Sequence, residues 1–239
     1  MELNNSPAAK KQFVREKFSS ISRSYDLLNS LLSRQIGRYW RWRTTRLLGE
    51  FPGGWVLDLC AGTLPLSLEL TRQAPHRKVL AVDFCEDMLR AGVRALPDDG
   101  RRERIFPVCG DGEVIPAPTA SFWGCTVAFG VRNLSRTLEG LREMHRILRP
   151  GGRLLILEFS RPTNPVIKPV YTFYLNRVLP AVAGLISGDR EAYQYLASSI
   201  AAFYEPADLM ALMREAGFAT VSRLPLTFGI VSVYMGIKD

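Results

Sequence analysis

Residues 56–63 read V-L-D-L-C-A-G-T, an apolar run that carries one acid and ends in a glycine and a threonine. The amphipathic stretch that follows, residues 66–74, is typical of a helix packed against a buried parallel strand. The same alternation returns along the chain in K-V-L-A-V-D (78–83), R-I-F-P-V-C-G-D (104–111), F-W-G-C-T-V-A-F (122–129) and R-L-L-I-L-E-F (153–159). The pattern predicts an α/β fold in which helices cover both faces of a mostly parallel sheet.

Around these runs the sequence predicts a single domain in four parts. A basic helical arm (1–50) precedes the core (51–160), a helical insertion (161–205) follows, and a closing helix with a β-hairpin (206–239) completes the chain. Helical spacing and breaker residues predict helices over about 35–48, 86–96, 138–148 and 206–216, with closing strands at 219–224 and 229–238. Pro150-Gly151-Gly152 is expected to end the helix before it.

The composition excludes several classes of protein. The chain has 239 residues and a net charge of +8, and its four cysteines show no C-x-x-C spacing, so neither a disulfide scaffold nor a metal site is expected. No signal peptide and no transmembrane run are predicted, which favours a cytoplasmic location. The charge is uneven, because residues 1–46 hold ten basic and three acidic residues, a balance of +7.

Three acids end successive predicted strands: Asp58, Asp83 and Asp111. Carboxylates at this edge of an open sheet can accept protons from ribose hydroxyls and from an exocyclic amine. A dinucleotide site would need G-x-G-x-x-G, whereas Gly62 stands alone, so S-adenosylmethionine is the favoured cofactor. The alternative is structural: Asp58 ties down the turn and Asp83 caps the following helix.

The chain resembles the UbiE/MenG-type C-methyltransferases of ubiquinone and menaquinone biosynthesis over nearly its whole length. The specific segments are F-G-V-R-N (129–133), L-E-F-S-R-P (157–162) and Y-Q-Y-L-A-S-S-I (193–200). The resemblance implies the Rossmann-like class I methyltransferase fold, with a seven-stranded sheet and an antiparallel C-terminal strand. It also implies methyl transfer from S-adenosylmethionine to a ring carbon of a polyprenylated quinol. Demethylmenaquinol is the first candidate, and the benzoquinol of the ubiquinone pathway is the second.

The same resemblance implies a set of site residues. Arg132 is the leading catalytic residue, because a guanidinium can stabilise the phenolate that activates the ring carbon. Tyr234 stands where relatives commonly have a histidine and is the second catalytic candidate. Substrate contacts are expected from Arg132, Asn133, Tyr193 and Tyr195. Cofactor contacts are expected from Tyr25, Asp58, Gly62, Thr63, Asp83, Phe84, Asp111, Gly112 and Ala128, and no metal is expected.

One departure from the family pattern leaves alternatives open. The family usually reads G-T-G-D in the cofactor loop, whereas this chain reads Gly62-Thr63-Leu64-Pro65. Leu64 adds a Cβ where the family has its second glycine, and Pro65 replaces the aspartate. Both changes predict weaker contacts with the cofactor. The chain would then be a cofactor-weak or inactive homologue that binds quinone lipid or a partner enzyme. A methyltransferase for another electron-rich small molecule is the third possibility.

The basic arm raises the question of a partner. The chain lacks both an N-P-P-Y-like turn and a Pro-Cys dipeptide, so a nucleic-acid substrate is not expected. A lipid substrate favours peripheral contact with the inner face of the cell membrane, and a homodimer is left open. Arginines 34, 38, 41, 43 and 46 surround Tyr39, Trp40 and Trp42, a mixture suited to an anionic interface.

Overall fold

The computed structural model describes residues 6–21, 25–51, 53–162, 164–178 and 190–239, without the side chains of 20–35, 176, 178 and 190–193. The strands are β1 (Gly54–Leu59), β2 (Arg77–Asp83), β3 (Ile105–Cys109), β4 (Phe122–Ala128), β5 (Leu148–Phe159), β6 (Thr220–Leu226) and β7 (Val231–Ile237). The helices are α1 (Pro7–Ile21), α2 (Tyr25–Leu48), α3 (Pro65–Gln73), α4 (Glu86–Ala95), α5 (Thr137–Ile147), α6 (Ile167–Phe173), α7 (Arg190–Ala202) and α8 (Pro206–Glu215).

The strands form one sheet of seven in the order β3-β2-β1-β4-β5-β7-β6. Strands β1 to β5 pair in parallel, and β7 runs antiparallel to both β5 and β6. This arrangement confirms the predicted fold class, including the antiparallel C-terminal strand. Because the order reverses between β1 and β4, their carboxyl ends open a crevice in which ligands of such sheets bind.

Two apolar layers hold the sheet. On one face, Leu141 and Met144 of α5 and Met213 of α8 pack against the buried side chains of β4, β5 and β7. On the other face, α2 and α3 cover β1 and β5, and Leu89 of α4 covers β2. Burial of these side chains, at about 25 cal/mol per Å² of apolar surface, is the main force that holds the layers together.

Two sequence predictions need correction. Helix α2 begins at Tyr25, ten residues before the predicted start at residue 35, because a stretch rich in Ser and Asn masked its helical periodicity. Helix α5 ends at Ile147, before Pro150-Gly151-Gly152 as predicted, but β5 starts at Leu148 and not at residue 153, so these three residues lie inside the strand. Gly151 has φ +75°, and the pairing with β4 shifts register between residues 148 and 153, so the three residues form an irregularity inside β5.

Helix α1 lies across the carboxyl edge of the sheet. Lys10 Nζ donates to the Leu134 carbonyl at 2.7 Å, and the Ser135 hydroxyl donates to the Pro7 carbonyl at 3.0 Å. Both contacts join residues more than a hundred positions apart and place the start of α1 beside the segment that follows β4. The helix therefore borders the crevice in which the predicted site residues lie.

Part of the predicted interfacial surface of the arm is instead core. Trp40 is buried against Phe129 and Phe159, and its indole N–H donates to Thr227 Oγ1 at 2.8 Å. Trp40 is therefore not available to a membrane, whereas Tyr39 and Trp42 are exposed. None of the helices in the described ranges is both long enough and apolar enough to cross a bilayer.

Candidate active site

The loops at the carboxyl edge hold an unusual backbone. Cys60, Leu64 and Phe129 have φ values of 55°, 67° and 57°, in the left-handed region that non-glycine residues seldom adopt. Two of these residues follow β1 and one follows β4, so they flank the crevice from both sides. Backbone strain of this kind costs about 1–3 kcal/mol per residue and concentrates at functional sites.

Asp83 organises the cofactor loop. Its Oδ2 accepts the Gly62 N–H at 2.8 Å, and its Oδ1 accepts the Cys85 N–H at 2.8 Å. Burial raises the pKa of this carboxyl, and the backbone donors oppose the rise. A carboxylate offers about four lone-pair sites, so it retains acceptor capacity for two hydroxyl groups beyond these two N–H groups. The structural role and the cofactor-binding role predicted for Asp83 are compatible. Asp83 joins the loop to the start of α4 and still lies at the edge of the crevice.

Asp58 lies below the crevice rather than in it. It is fully buried in β1, where Oδ2 accepts the Ser67 hydroxyl at 2.6 Å and Oδ1 accepts the Thr126 hydroxyl at 3.1 Å. Burial raises the pKa of Asp58 to about 7, and the two hydroxyl donors oppose that rise. The structure thus gives Asp58 a clear structural task, tying α3 and β4 to β1. Its contact with a cofactor stays a prediction.

This buried carboxyl predicts a pH dependence of stability. Because the folded pKa of about 7 lies above the unfolded value near 4, the folded protein retains a proton that the unfolded chain releases. Asp58 therefore contributes stability that is complete below about pH 4 and is lost as the pH rises towards 7. Asp58→Asn should reduce the loss of unfolding free energy between pH 5 and pH 7.5, as measured by urea denaturation. An unchanged pH dependence in the variant would contradict the assignment.

Leu64 shows how the cofactor loop accommodates a side chain in place of the usual glycine. It adopts φ 67°, so the left-handed backbone is retained although the side chain has a Cβ. That side chain is buried in a cluster with Ala61, Ala81 and Leu89, against Gly92 of α4, whose Cβ would lie 2.8 Å from Leu64 Cγ. Leu64 thus fills the space beneath α4 and does not project into the crevice.

Asp111 forms part of a charged cluster that the sequence did not reveal. Lys11 Nζ of α1 lies 2.5 Å from Asp111 Oδ2 and 2.8 Å from Glu113 Oε2. Burial raises the pKa of Asp111, but the Lys11 ammonium outweighs this and holds the pKa below its usual value. Asp111 Oδ1 accepts the Glu113 N–H at 2.9 Å. An adenine amine at Asp111 would therefore share its acceptor with Lys11, a residue of the arm.

Arg132 and Glu158 form a buried ion pair at the ends of β4 and β5. Arg132 Nη1 lies 2.8 Å from Glu158 Oε1, and the two side chains are 5% and 0% exposed. The same nitrogen also donates to the Phe129 carbonyl, and the guanidinium stacks over the Phe159 ring at 5.6 Å. Arg132 Nε is buried without a hydrogen-bond partner among the described residues. Glu158 fixes the guanidinium through Nη1, and Nε is a buried donor that no described residue accepts.

Two tyrosines lie near this pair. The Tyr195 hydroxyl donates to Asn133 Oδ1 at 3.1 Å, so two predicted substrate residues are in direct contact. Tyr171 of α6 was not predicted; it is 7% exposed, and its hydroxyl lacks a partner within the described part of the chain. Burial raises the pKa of both Tyr171 and Tyr195, and the Arg132 charge opposes the rise in each. Both phenols therefore lie near the guanidinium.

The remaining predicted residues divide into three groups. Tyr234 is fully buried in the core of β7, opposite Ile156, and the structure does not bring it to the crevice; its catalytic role stays a prediction. The side chains of Tyr25 and Tyr193 lie outside the described residues. The others lie on loops or strand ends at the carboxyl edge: Gly62, Thr63, Phe84, Gly112 and Ala128.

The donors and acceptors at the crevice fit S-adenosylmethionine. Asp83 and Asp111 are carboxylates that keep acceptor capacity, and such groups suit ribose hydroxyls, an adenine amine and a cationic ligand. The positive charge of a sulfonium is also favoured next to aromatic faces, which Phe84 and Phe129 can supply in the adjoining loops. Asp83 and Asp111 are the residues that would hold the cofactor through its nucleoside.

Comparison with known proteins agrees with this arrangement. A UbiE ubiquinone/menaquinone biosynthesis C-methyltransferase from Hahella chejuensis is 39% identical over 230 residues, which cover 96% of this chain and 92% of that protein. The protein of the same name from Pseudomonas entomophila is 41% identical over 238 residues, covering 99% and 92%. Both alignments extend from the arm to the closing hairpin.

Solved structures share the fold at lower identity. A methyltransferase from Thermotoga maritima superposes with a TM-score of 0.64 at 19% identity, covering 93% of this chain and 100% of that one. Haemonchus contortus phosphoethanolamine N-methyltransferase 2, solved with S-adenosyl-L-methionine, gives a TM-score of 0.63 at 12% identity, covering 84% and 52%. The ubiE/COQ5 methyltransferase family matches residues 6–238. The chain belongs to this family, and it is an S-adenosylmethionine-dependent C-methyltransferase.

Proposed function

We propose that this protein methylates a ring carbon of a polyprenylated quinol, with demethylmenaquinol as the preferred substrate. The benzoquinol of the ubiquinone pathway is the second substrate. The observation that carries the proposal is the buried Arg132 guanidinium, held by Glu158 at the carboxyl edge with Nε unpartnered. The names of relatives about 40% identical over the whole chain support a quinone pathway.

The chemistry requires that the ring carbon become a nucleophile. A phenolic hydroxyl has a pKa of about 10, and its partial or complete loss of a proton pushes electron density onto the neighbouring carbon. S-adenosylmethionine supplies the electrophilic methyl group when it is bound. A fixed cation beside the developing phenolate stabilises that charge without reorganising, and the buried setting strengthens the effect. This role for Arg132 is supported by its restricted side chain, which Glu158 and Phe159 hold in place.

Tyr171 and Tyr195 suit the recognition of a quinol. A quinol carries two oxygens on opposite sides of its ring, so a site needs polar groups at two separated points as well as apolar walls. We assign the first oxygen to Arg132 Nε and the second to the Tyr171 hydroxyl, both of which are buried without a partner among the described residues. Asn133, held by Tyr195, is the third polar group near the ring.

Tyr171→Phe tests this assignment. In the free protein the Tyr171 hydroxyl makes no hydrogen bond to any described residue. The variant should therefore keep its free energy of unfolding or gain roughly 1 kcal/mol. Turnover of quinol should fall about tenfold, because one hydrogen bond to the substrate is lost. Tyr204→Phe, an exposed tyrosine, is the matched control and should retain full activity. A Tyr171→Phe enzyme with unchanged kinetics would remove Tyr171 from the site.

The function itself is tested with the purified chain, radiolabelled S-adenosylmethionine and two reduced quinols. Demethylmenaquinol should gain the label at the higher rate, and the demethylated benzoquinol at a lower one. Isothermal titration with the cofactor is carried out in parallel. Binding without transfer to either quinol would indicate another small-molecule substrate. No binding at millimolar cofactor would indicate an inactive homologue, although the packing of Leu64 favours a competent loop.

A further inference from the structure

Helix α6 exposes apolar side chains along one side. Val166 just before the helix is 72% exposed, Val170 is 66%, Phe173 is 64% and Tyr174 is 36%. Val166, Val170 and Phe173 follow the spacing i, i+4, i+7, and Tyr174 follows at i+8 as the first residue of the π-helical turn (Tyr174–Val178) that continues α6. The four form one stripe, here named the outer face of α6. Single exposed apolar residues are ordinary, but a continuous stripe of this kind marks a surface that binds something apolar.

The opposite side of the same segment is buried. Tyr171 of α6 and Leu175 of the π-helical turn are 7% and 8% exposed, and Tyr171 is the residue that the proposed function assigns to the quinol. The helix therefore has two apolar sides, one packed against the protein and one facing solvent. A partner that binds the outer face of α6 therefore lies directly beside the site that the inner side of the helix borders.

The charges around the outer face of α6 indicate what kind of partner binds there. Lys168 of α6 and Arg177 of the π-helical turn are exposed, and they share an open cleft with Pro169, Thr172 and Phe173. Neither cation has an ion-pair partner among the described residues. Between Glu158 and Asp189 the sequence contains three basic residues and no acid. Two cations beside an apolar stripe match anionic headgroups above acyl chains.

We propose that the outer face of α6 docks on an anionic lipid bilayer. Phe173 and Val170 insert at the level of the headgroups, and Lys168 and Arg177 contact lipid phosphates. The inference deepens the proposed function, since a polyprenylated quinol resides in a bilayer and would enter the site beside Tyr171. Docking itself requires neither quinol nor cofactor, so it is measured apart from the reaction.

The test is sedimentation of the full-length chain with vesicles of phosphatidylcholine alone or mixed with phosphatidylglycerol. The wild-type protein should bind the mixed vesicles more tightly, and salt should weaken that binding. The double variant Val170→Ser, Phe173→Ser should lose about tenfold or more in partitioning, because two apolar side chains no longer insert. Lys168→Gln, Arg177→Gln should abolish the preference for phosphatidylglycerol. All four residues are exposed, so the variants should retain the wild-type melting temperature.

The matched control is Tyr39→Ser, Trp42→Ser, which removes two exposed aromatic residues from α2. This control should bind vesicles like the wild type. If it loses binding while the α6 variant keeps it, the docking surface is the arm and the proposal is wrong. Absence of binding by the wild type to mixed vesicles would also overturn it, and would favour a protein partner for the outer face. With a short-chain, water-soluble quinol, the α6 variant should turn over at the wild-type rate.

Discussion

Asp83→Ala is expected to weaken the binding of S-adenosylmethionine by on the order of a hundredfold or more. The alanine removes the acceptor of any ribose hydroxyls at this strand end, and hydrogen bonds to a charged group contribute about 1.5–3 kcal/mol each. It also releases the Gly62 and Cys85 N–H groups, each of which lies 2.8 Å from a carboxylate oxygen. The loop that follows β1 then loses its hydrogen bond to β2. Cofactor affinity falls because a direct contact is lost and because the loop is less ordered.

Two further variants separate these contributions. Asp83→Asn keeps one carbonyl acceptor for a backbone N–H but loses the charge and half of the acceptor capacity, so an intermediate affinity is expected. Asp111→Ala removes a carboxylate that is more exposed and already paired with Lys11, and its effect should be smaller. Isothermal titration gives all three dissociation constants, and thermal unfolding reports whether the fold is intact. An affinity unchanged by Asp83→Ala would place the ribose elsewhere.

Arg132→Leu is expected to lower the turnover of quinol by about 100- to 1000-fold, because the preorganised cation at the developing phenolate is lost. Cofactor affinity should change much less than turnover. The variant should also lose about 3–5 kcal/mol of unfolding free energy, since Glu158 is left buried and unpaired. A single variant therefore mixes a chemical effect with a structural one.

The double variant Arg132→Leu, Glu158→Leu distinguishes them. Replacing both members of a buried pair with apolar residues restores much of the stability that a single replacement removes. Turnover should stay as low as in Arg132→Leu, because no cation is returned to the site. Stability is measured by urea denaturation and turnover with a short-chain quinol. Recovery of turnover together with stability would show that Arg132 serves only the packing of the sheet end.

The sequence predicted most of the sheet because its strands are continuous apolar runs. Strands β1, β2, β4 and the second half of β5 are largely buried on both faces, whereas β3 is an edge strand in which only Ile105 is buried. Continuous apolar runs leave a signal that does not depend on distant contacts. The start of α2 was missed because helical periodicity is weak where Ser and Asn interrupt it. The irregularity at Gly151 was missed because pairing with β4 and with Lys238, not local preference, keeps those residues in β5.

At the site, the sequence alone determined which acids end the strands and which segments follow them, because the order of strands and loops is written along the chain. Tertiary structure decided what those residues face. Lys11 meets Asp111 across 100 positions, and Arg132 meets Glu158 across 26. Leu64 packs beneath α4, and Asp58 lies below the crevice instead of in it. The reason is physical: the partner and solvation of a polar side chain depend on chain segments brought together only by folding.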